Sequence, residues 1–158
     1  MSTALLIRPV ERESDVEAVR QLFREYATTV DAPVCFQDFD KEVAGLPGAY
    51  APPSGLLLLT QIQGAPSGCV VVRRLDARAC ELKRLYIRPQ FRGFGLGRLL
   101  TESAMQFARE AGYQVIRLDT LPNMQAAQRL YQSLGFCDIP AYTATTAPGK
   151  RDMEARSG

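Results

Sequence analysis

The alternation of apolar and polar positions divides the chain into short strands and amphipathic helices. Alternating or continuous apolar runs predict strands at residues 4–8, 56–63, 69–74, 80–88, 115–118 and 136–139. Apolar residues at helical spacing predict helices over about 14–28, 38–44, 96–111 and 123–134. The resulting order, β-α-α-β-β-β-α-β-α-β, is typical of an α/β fold.

Local signals at the ends of these elements sharpen the assignment. Ser14-x-x-Glu17 has the pattern of a capping box for the first helix, and Asn123 can cap the last one. The tail, residues 149–158, is polar and weakly patterned, so a final strand there is left open.

The strand at 80–88 changes phase in its middle. Leu82 is apolar, Lys83 and Arg84 are charged, and Leu85 and Ile87 then resume the alternation on the opposite parity. One extra residue in a strand flips the facing of everything after it, so a β-bulge is predicted at Lys83 and Arg84.

Composition narrows the class of protein. A chain of 158 residues with 46% hydrophobic content is predicted to form a single domain, residues 1–158. Its formal charge of +2 is too small to favour nucleic-acid binding. The sequence has no basic-apolar leader and no apolar run of membrane-spanning length, which indicates a cytoplasmic protein without a membrane partner.

Histidine and cysteine usage excludes several chemistries. The chain has no histidine, which rules out a triad that needs imidazole, and its cysteines show no C-x-x-C spacing, which disfavours a metal site. The four cysteines, which are Cys35, Cys69, Cys80 and Cys137, are predicted to be reduced, buried thiols.

The segment Arg92-Gly93-Phe94-Gly95-Leu96-Gly97-Arg98 joins the bulged strand to a helix. Glycines at the start of a helix leave backbone N–H groups open to an anion, which the helix dipole also favours. Residues 82–101 contain five cations and no acidic residue, which fits a polyanionic ligand, although a solvated basic face is the simpler alternative. The segment matches neither G-x-G-x-x-G nor the P-loop.

The motif and its surroundings resemble the GNAT superfamily of acyl-CoA-dependent N-acyltransferases. Residues 90–97, Gln-Phe-Arg-Gly-Phe-Gly-Leu-Gly, are similar to the Q/R-x-x-G-x-G/A motif of that superfamily. Residues 127–136, Ala-Gln-Arg-Leu-Tyr-Gln-Ser-Leu-Gly-Phe, are similar to its A-x-x-L-Y-x-x-x-G-F signature. Residues 117–123 and 139–142 are similar to a bacterial subgroup of unassigned substrate, in which the last strand is usually apolar.

The resemblance implies a fold, a cosubstrate and its binding residues. The fold would be α/β, with a GNAT-like mixed, mostly antiparallel sheet splayed at its central strands and helices on both faces. The cosubstrate would be acetyl-CoA, with its pyrophosphate on the glycine turn and its pantetheine arm along the bulged strand. The residues implied to bind it are Leu85, Tyr86, Ile87, Arg92, Gly93, Phe94, Gly95, Leu96, Gly97, Arg98 and Asn123.

Two residues are implied to be catalytic. Glu81 stands where some GNAT enzymes carry a glutamate base, acting directly or through water; the alternative is a structural ion pair. Tyr131 would protonate the departing thiolate, because a phenol has comparable basicity; the alternative is a core aromatic. One backbone amide, that of Leu85, would stabilise the tetrahedral oxyanion.

The acceptor is much less constrained than the donor. In this superfamily it binds between the first two helices and the last strands, here about 23–50 and 141–147, where Tyr26, Asp31, Asp38, Asp40, Glu42 and Tyr142 are available. The sequence favours a small-molecule amine as the partner. A protein or peptide amine, a CoA-binding regulatory module with little turnover, and a homodimer are all left open.

Overall fold

The computed structural model describes residues 5–30, 38–142 and 149–157. The strands are β1 (Leu5–Pro9), β2 (Leu56–Ile62), β3 (Ala65–Arg74), β4 (Ala79–Ile87), β5 (Val115–Thr120), β6 (Cys137–Ile139) and β7 (Arg151–Arg156). The helices are α1 (Glu13–Thr29), α2 (Phe39–Ala44), α3 (Leu96–Glu110) and α4 (Gln125–Ser133). In these described ranges no helix combines the length and apolar character needed to cross a membrane.

The strands form one sheet in the order β1-β2-β3-β4-β5-β7-β6. All neighbours are antiparallel except β4 and β5, which run parallel. Their pairing begins at Ala79–Val115 and ends at Glu81–Arg117, so the two strands separate over their remaining length. The sheet is therefore mixed, mostly antiparallel and splayed at its centre, which confirms the predicted fold class.

Each face of the sheet carries its own hydrophobic core. On one face Leu82 and Ile116 pack with Leu100 of α3 and with residues of α4. On the other face Val71 packs with Phe23 of α1 and with the short helix α2. The two helical layers approach the splayed strands from opposite sides, so the opening between β4 and β5 can be reached from both faces.

The predicted bulge in β4 is confirmed. Cys69 of β3 lies opposite Tyr86, but Val71 lies opposite Lys83, so β4 carries an extra residue between these pairs. Arg84 has a φ of 57°, in the left-handed region. The bulge turns Leu85 and Ile87 toward the α3 core and Tyr86 toward the α1 core.

The hairpin between β2 and β3 is tighter than predicted. The strands predicted at 56–63 and 69–74 leave residues 64–68 as the connection, but β3 begins at Ala65. Gln63 and Gly64 form a two-residue turn in which both φ values are positive, 51° and 81°. Such turns match the twist of antiparallel strands, which extends the ladder almost to the turn.

Both predicted helix caps are wrong. Helix α1 begins at Glu13 with Arg12 as its N-cap, so Ser14 lies inside the helix and cannot cap it. Helix α4 begins at Gln125 with Met124 as its N-cap, and neither cap residue makes a side-chain cap hydrogen bond. Helix ends are defined by the backbone to within one or two residues, so a cap pattern alone does not fix the first residue.

The polar tail does form a last strand, β7, inserted between β5 and β6. Met153 and Ala155 are buried in the α3 core, while Arg151 and Glu154 of the same strand are held by ion pairs. Arg151 Nη2 lies 2.8 Å from Asp138, and Glu154 accepts from Arg117 Nε at 2.9 Å. Such pairing allows a strand with little apolar content to be buried.

The prediction of buried thiols holds for two cysteines. Cys69 and Cys80 are buried, and burial raises the pKa of each to about 12, which keeps them protonated. Cys137 is exposed, contrary to the prediction, because it lies on the short edge strand β6. Cys35 lies outside the described residues.

Candidate functional site

The main candidate site is a cavity of about 420 Å³ at the opening between β4 and β5. Tyr26 and Thr29 of α1 line it from one face of the sheet, and Leu130 and Tyr131 of α4 line it from the other. The remaining lining residues are Leu82, Lys83, Arg84, Leu85, Tyr86, Ile87, Arg92, Gly97, Asp119, Thr120, Asn123, Met124, Ala126 and Ala127. The cavity therefore passes through the sheet and joins its two faces.

The β4 wall of this cavity is an open strand edge. Because pairing with β5 ends at Glu81, the β5-facing side of Leu85–Ile87 has no partner among the described strands. An extended ligand with amide groups can add to such an edge as a further strand.

The glycine turn has the backbone geometry of an anion site. Gly93 and Gly95 have φ values of 89° and 76°, in the left-handed region that favours glycine. A Cβ atom at either position would meet no heavy atom within 4 Å, so the space in front of the turn is open. Helix α3 begins at Leu96, and the first amide bonded back to the turn is that of Leu99, which donates to Gly95 O at 3.1 Å. The preceding amides are thus available to a phosphate.

The arginines beside the turn are held in place by neighbouring groups. Arg92 Nε donates to Ile87 O at 3.1 Å, and Arg92 also lines the cavity. Arg98 lies 3.3 Å from Glu102 and donates to Ser133 Oγ at 3.2 Å, which ties α3 to α4. Both guanidinium groups keep donors near the start of α3.

Tyr131 lines the cavity from α4 and is almost fully buried. Its ring packs against Phe136, with 5.6 Å between the ring centroids. Burial raises the pKa of its hydroxyl, and the nearby Tyr26 and Asp119 raise it further. The group is thus a protonated phenol across the neutral range, which is the form that a proton donor needs.

Glu81 is buried and engaged at both carboxylate oxygens. Arg73 Nε donates to Oε1 at 2.7 Å, and the Tyr142 hydroxyl donates to Oε2 at 2.6 Å. Burial and the charge of Glu81 raise the pKa of Tyr142. Glu81 is absent from the lining of the main cavity, whereas Lys83, two residues along on the same face of β4, is part of it.

Glu81 belongs to a row of alternating charges that crosses four strands. The sheet register aligns Arg73, Glu81, Arg117 and Glu154 on neighbouring strands, on the same face of the sheet. Arg117 also stacks on the Tyr142 ring, 5.7 Å from its centroid. The row fixes the position of the Glu81 carboxylate at the point where β4 and β5 begin to separate.

Among the cavity residues that were not predicted from the sequence to bind a ligand are the polar residues Lys83, Asp119 and Thr120. The Thr120 hydroxyl oxygen is buried and has no hydrogen-bond partner within the described part of the chain. An unsatisfied buried hydroxyl on the wall of a cavity fits a ligand with amide or hydroxyl groups. Two consecutive polar residues at the end of strand β5 were the available sequence signal.

The residues implied to bind the cosubstrate fall into two groups. Those that line the main cavity are Leu85, Tyr86, Ile87, Arg92, Gly97 and Asn123. Gly93, Phe94, Gly95, Leu96 and Arg98 lie outside that lining, in the turn and the first turn of α3. Phe94 is 64% exposed, whereas Leu96 is buried and packs into the protein.

A second cavity, also of about 420 Å³, lies on the α2 side of the sheet. Lys83 and Arg73 line it from the sheet, and Asp38, Lys41 and Glu42 line it from α2 and its N-cap. It includes part of the segment expected to bind the acceptor. Residues 31–37 of that segment, which include Asp31, and residues 143–147 lie outside the described residues.

Comparisons with known proteins agree with this geometry. Residues 16–136 match the sequence model of the acetyltransferase (GNAT) family. The chain is 35% identical over 144 residues to an uncharacterized N-acetyltransferase of Schizosaccharomyces pombe, covering 90% of this chain and 88% of that protein. It is 30% identical over 141 residues to the uncharacterized N-acetyltransferase YjgM of Escherichia coli, covering 87% and 82% of the two chains.

Solved structures show the same fold at low sequence identity. PaiA N-acetyltransferase from Thermoplasma acidophilum, solved in complex with coenzyme A, superimposes with a TM-score of 0.76 at 19% identity. The alignment covers 97% of this chain and 99% of that one. The yncA protein of Salmonella typhimurium, solved with acetyl-CoA, gives a TM-score of 0.78 at 21% identity over 98% and 95% of the chains.

The splayed sheet, the glycine turn and the family match together define the class of acetyl-CoA-dependent N-acetyltransferases. The chain belongs to the acetyltransferase (GNAT) family.

Proposed function

We propose that the protein transfers the acetyl group of acetyl-CoA to a primary amine of a small molecule, by direct attack through a tetrahedral intermediate. One observation carries the proposal: the open edge of β4, the start of α3 and Tyr131 meet at a single cavity. Family membership supports the acetyl-transfer chemistry.

The donor would be held mainly by backbone groups. The amides at the start of α3 would take the pyrophosphate, with Arg92 and Arg98 supplying additional charge. The pantetheine arm would extend the sheet along Leu85–Ile87, with Asn123 on the opposite wall. The open space at Gly93 and Gly95 and the unsatisfied Thr120 hydroxyl support this assignment.

The proposed chemistry assigns each proton to a residue. Glu81 accepts the first proton of the substrate ammonium through water, because its buried carboxylate lies outside the lining of the cavity and cannot contact the substrate directly. The free amine then forms the C–N bond, and the Leu85 amide stabilises the oxyanion. As the C–S bond breaks, the Tyr131 hydroxyl gives its proton to the sulfur and regains one from the amide nitrogen. The products are an N-acetyl compound, CoA thiol and one released proton.

The form of the cavity supports a small acceptor over an extended peptide. Aromatic side chains lie on both of its helical walls, Tyr26 from α1 and Tyr131 from α4. A peptide acceptor would instead need a groove open along several residues. Acetylation of a protein amine and CoA binding with little turnover are the competing functions.

Thiol release from acetyl-CoA, measured across a panel of small amines and free peptide N-termini, tests the proposal. We expect release above background for at least one small amine. CoA binding without thiol release for every amine would favour the regulatory alternative, and release with peptides alone would favour the protein acetyltransferase.

A further inference from the structure

Lys83 and Asp119 lie at matching positions on the two strands that separate. The last parallel pair is Glu81–Arg117. Lys83 follows Glu81 by two positions in β4, and Asp119 follows Arg117 by two positions in β5. Side chains two residues apart in a strand point to the same face. Lys83 and Asp119 both line the main cavity, so a cation and a carboxylate stand on its two opposite strands.

Lys83 differs from the other cations around the opening because it has no ion pair or hydrogen bond within the described residues. The neighbouring cations are paired as Arg73–Glu81, Arg84–Glu42, Arg88–Glu25, Arg117–Glu154 and Lys150–Asp152. Lys83 is also half-buried, so it has lost part of its hydration, and no carboxylate of the described residues lies within ion-pair distance of it. A ligand anion would supply a counter-charge at that distance.

Asp119 is a carboxylate with only weak compensation. Lys150 Nζ lies 3.6 Å from the Asp119 carboxylate, but it lies closer to Asp152, at 2.7 Å. Burial raises the pKa of Asp119, and the charge of Glu81 raises it further. A cationic group in the cavity would therefore be attracted to this wall.

Lys83 lies on the face of the sheet that α1 and α2 cover, where the acceptor is expected, and not on the face of the glycine turn and α3. Lys83 also lines the second cavity, beside Arg73 and Lys41. That cavity lies against α2, whereas the glycine turn leads into α3 on the other face. The position of Lys83 thus fits an anionic group of the acceptor better than a phosphate of the cosubstrate.

We propose that the acceptor is an amine that also carries a carboxylate, of the amino-acid class. Lys83 binds the carboxylate, and Asp119 faces the ammonium group across the opening. The proposal rests on the proposed function and adds its substrate class. It makes Lys83 a specificity-determining residue.

Matched pairs of acceptors test it: glycine with methylamine, β-alanine with ethylamine, and γ-aminobutyrate with propylamine. The amines of each pair are compared as kcat/KM for thiol release at equal free-base concentration. A charged contact of this kind predicts a preference of about 10-fold or more for the acid in the best pair. The pair with the largest preference also reports the spacing between the two charges.

Variants test whether Lys83 causes the preference for the acid over the matched amine. Lys83→Met should reduce the preference to within about threefold, and Lys83→Arg should keep most of it. Arg74→Met removes an exposed cation at the end of β3 and should leave the ratio as in the wild type. CoA affinity, measured by calorimetry, verifies that each variant is folded.

Equal rates for acid and amine in every pair of the wild type would overturn the substrate class, as would a preference that survives in Lys83→Met. Should Lys83→Met not fold, the wild-type ratios and Lys83→Arg still decide. Thiol release with amines but no carboxylate preference contradicts this inference alone. No release with any amine contradicts the proposed function itself, and this inference with it.

Discussion

The two faces of the splayed sheet recognise ligands by different means. The α3 face offers backbone groups: an open strand edge and the amides of a glycine turn with two left-handed glycines. The α1 and α2 face offers charged side chains, most of them in pairs such as Arg73–Glu81 and Arg84–Glu42. A backbone site suits a donor shared by a whole family, because it tolerates side-chain change. A side-chain site can change its acceptor by single substitutions.

The largest effect of a single substitution is expected at Tyr131, on the donor face. Tyr131→Phe removes the proposed proton donor but keeps the packing on Phe136, so kcat should fall by about 10²- to 10⁴-fold with CoA affinity nearly unchanged. Because burial raises its pKa above the ordinary tyrosine value, Tyr131 should lose its acid function only as the pH rises through that higher value. Thiol-release kinetics across pH and calorimetry with CoA measure both effects.

Tyr113→Phe is the matched control for that substitution. The Tyr113 hydroxyl donates to Ser54 O at 2.7 Å and lies outside the main cavity, so its loss should cost about 1 kcal/mol of unfolding free energy and leave kcat unchanged. A Tyr131→Phe variant with wild-type kcat would remove the general-acid role.

On the other face, Glu81→Gln should lower kcat/KM by about 10²-fold, most strongly at low pH, where the acceptor amine is protonated. The substitution also removes a negative charge that raises the pKa of Asp119, so the pKa of that carboxyl should fall. A pH profile of kcat/KM checks the first effect, and carboxyl titration by NMR checks the second.

Glu154→Gln, at the other end of the same row of charges, controls for general loss of charge. If Glu81→Gln lowers the rate equally at every pH, the carboxylate has a structural role and not that of a base.

The ion pairs of the acceptor face also hold the fold together. Arg84 is buried, donates to both oxygens of Glu42 and stacks on Phe39, 5.4 Å from the ring centroid. Glu42→Gln removes the carboxylate that accepts two hydrogen bonds from this buried guanidinium and should cost about 2 kcal/mol of unfolding free energy. Urea unfolding measures it.

Asp40→Asn on the same helix is exposed and should change the unfolding free energy by less than about 0.5 kcal/mol. Equal changes in unfolding free energy at the two positions would show that the Glu42–Arg84 pair stabilises the fold no more than an exposed charge does.

The smallest effect is expected at the glycine turn. Gly95→Ala forces a residue with a Cβ into the left-handed region at φ 76°, a strain that should weaken CoA binding roughly 10-fold. Gly112→Ala introduces the same kind of strain at φ 90° after α3 and should lower stability without changing CoA affinity. Equal CoA affinity in the two variants would contradict the assignment of the turn.

The difference between the two faces also explains which features of the fold and the site could be predicted from the sequence. The glycine turn, the Tyr131 helix and the phase change in β4 are each encoded in one contiguous segment, so pattern and motif were sufficient. Lys83 and Asp119 lie on different strands and meet only through the sheet register, which the sequence does not display. Strand β7 was left open because ion pairs such as Arg117–Glu154 replace the apolar pattern that normally marks a buried strand.

The most direct test of the donor site is an NMR titration of the amide-labelled protein with CoA. We expect the largest shift changes at the amides of residues 93–98 and 85–87, with little change in α2. Changes confined to α1 and α2, or none at the glycine turn, would contradict the account.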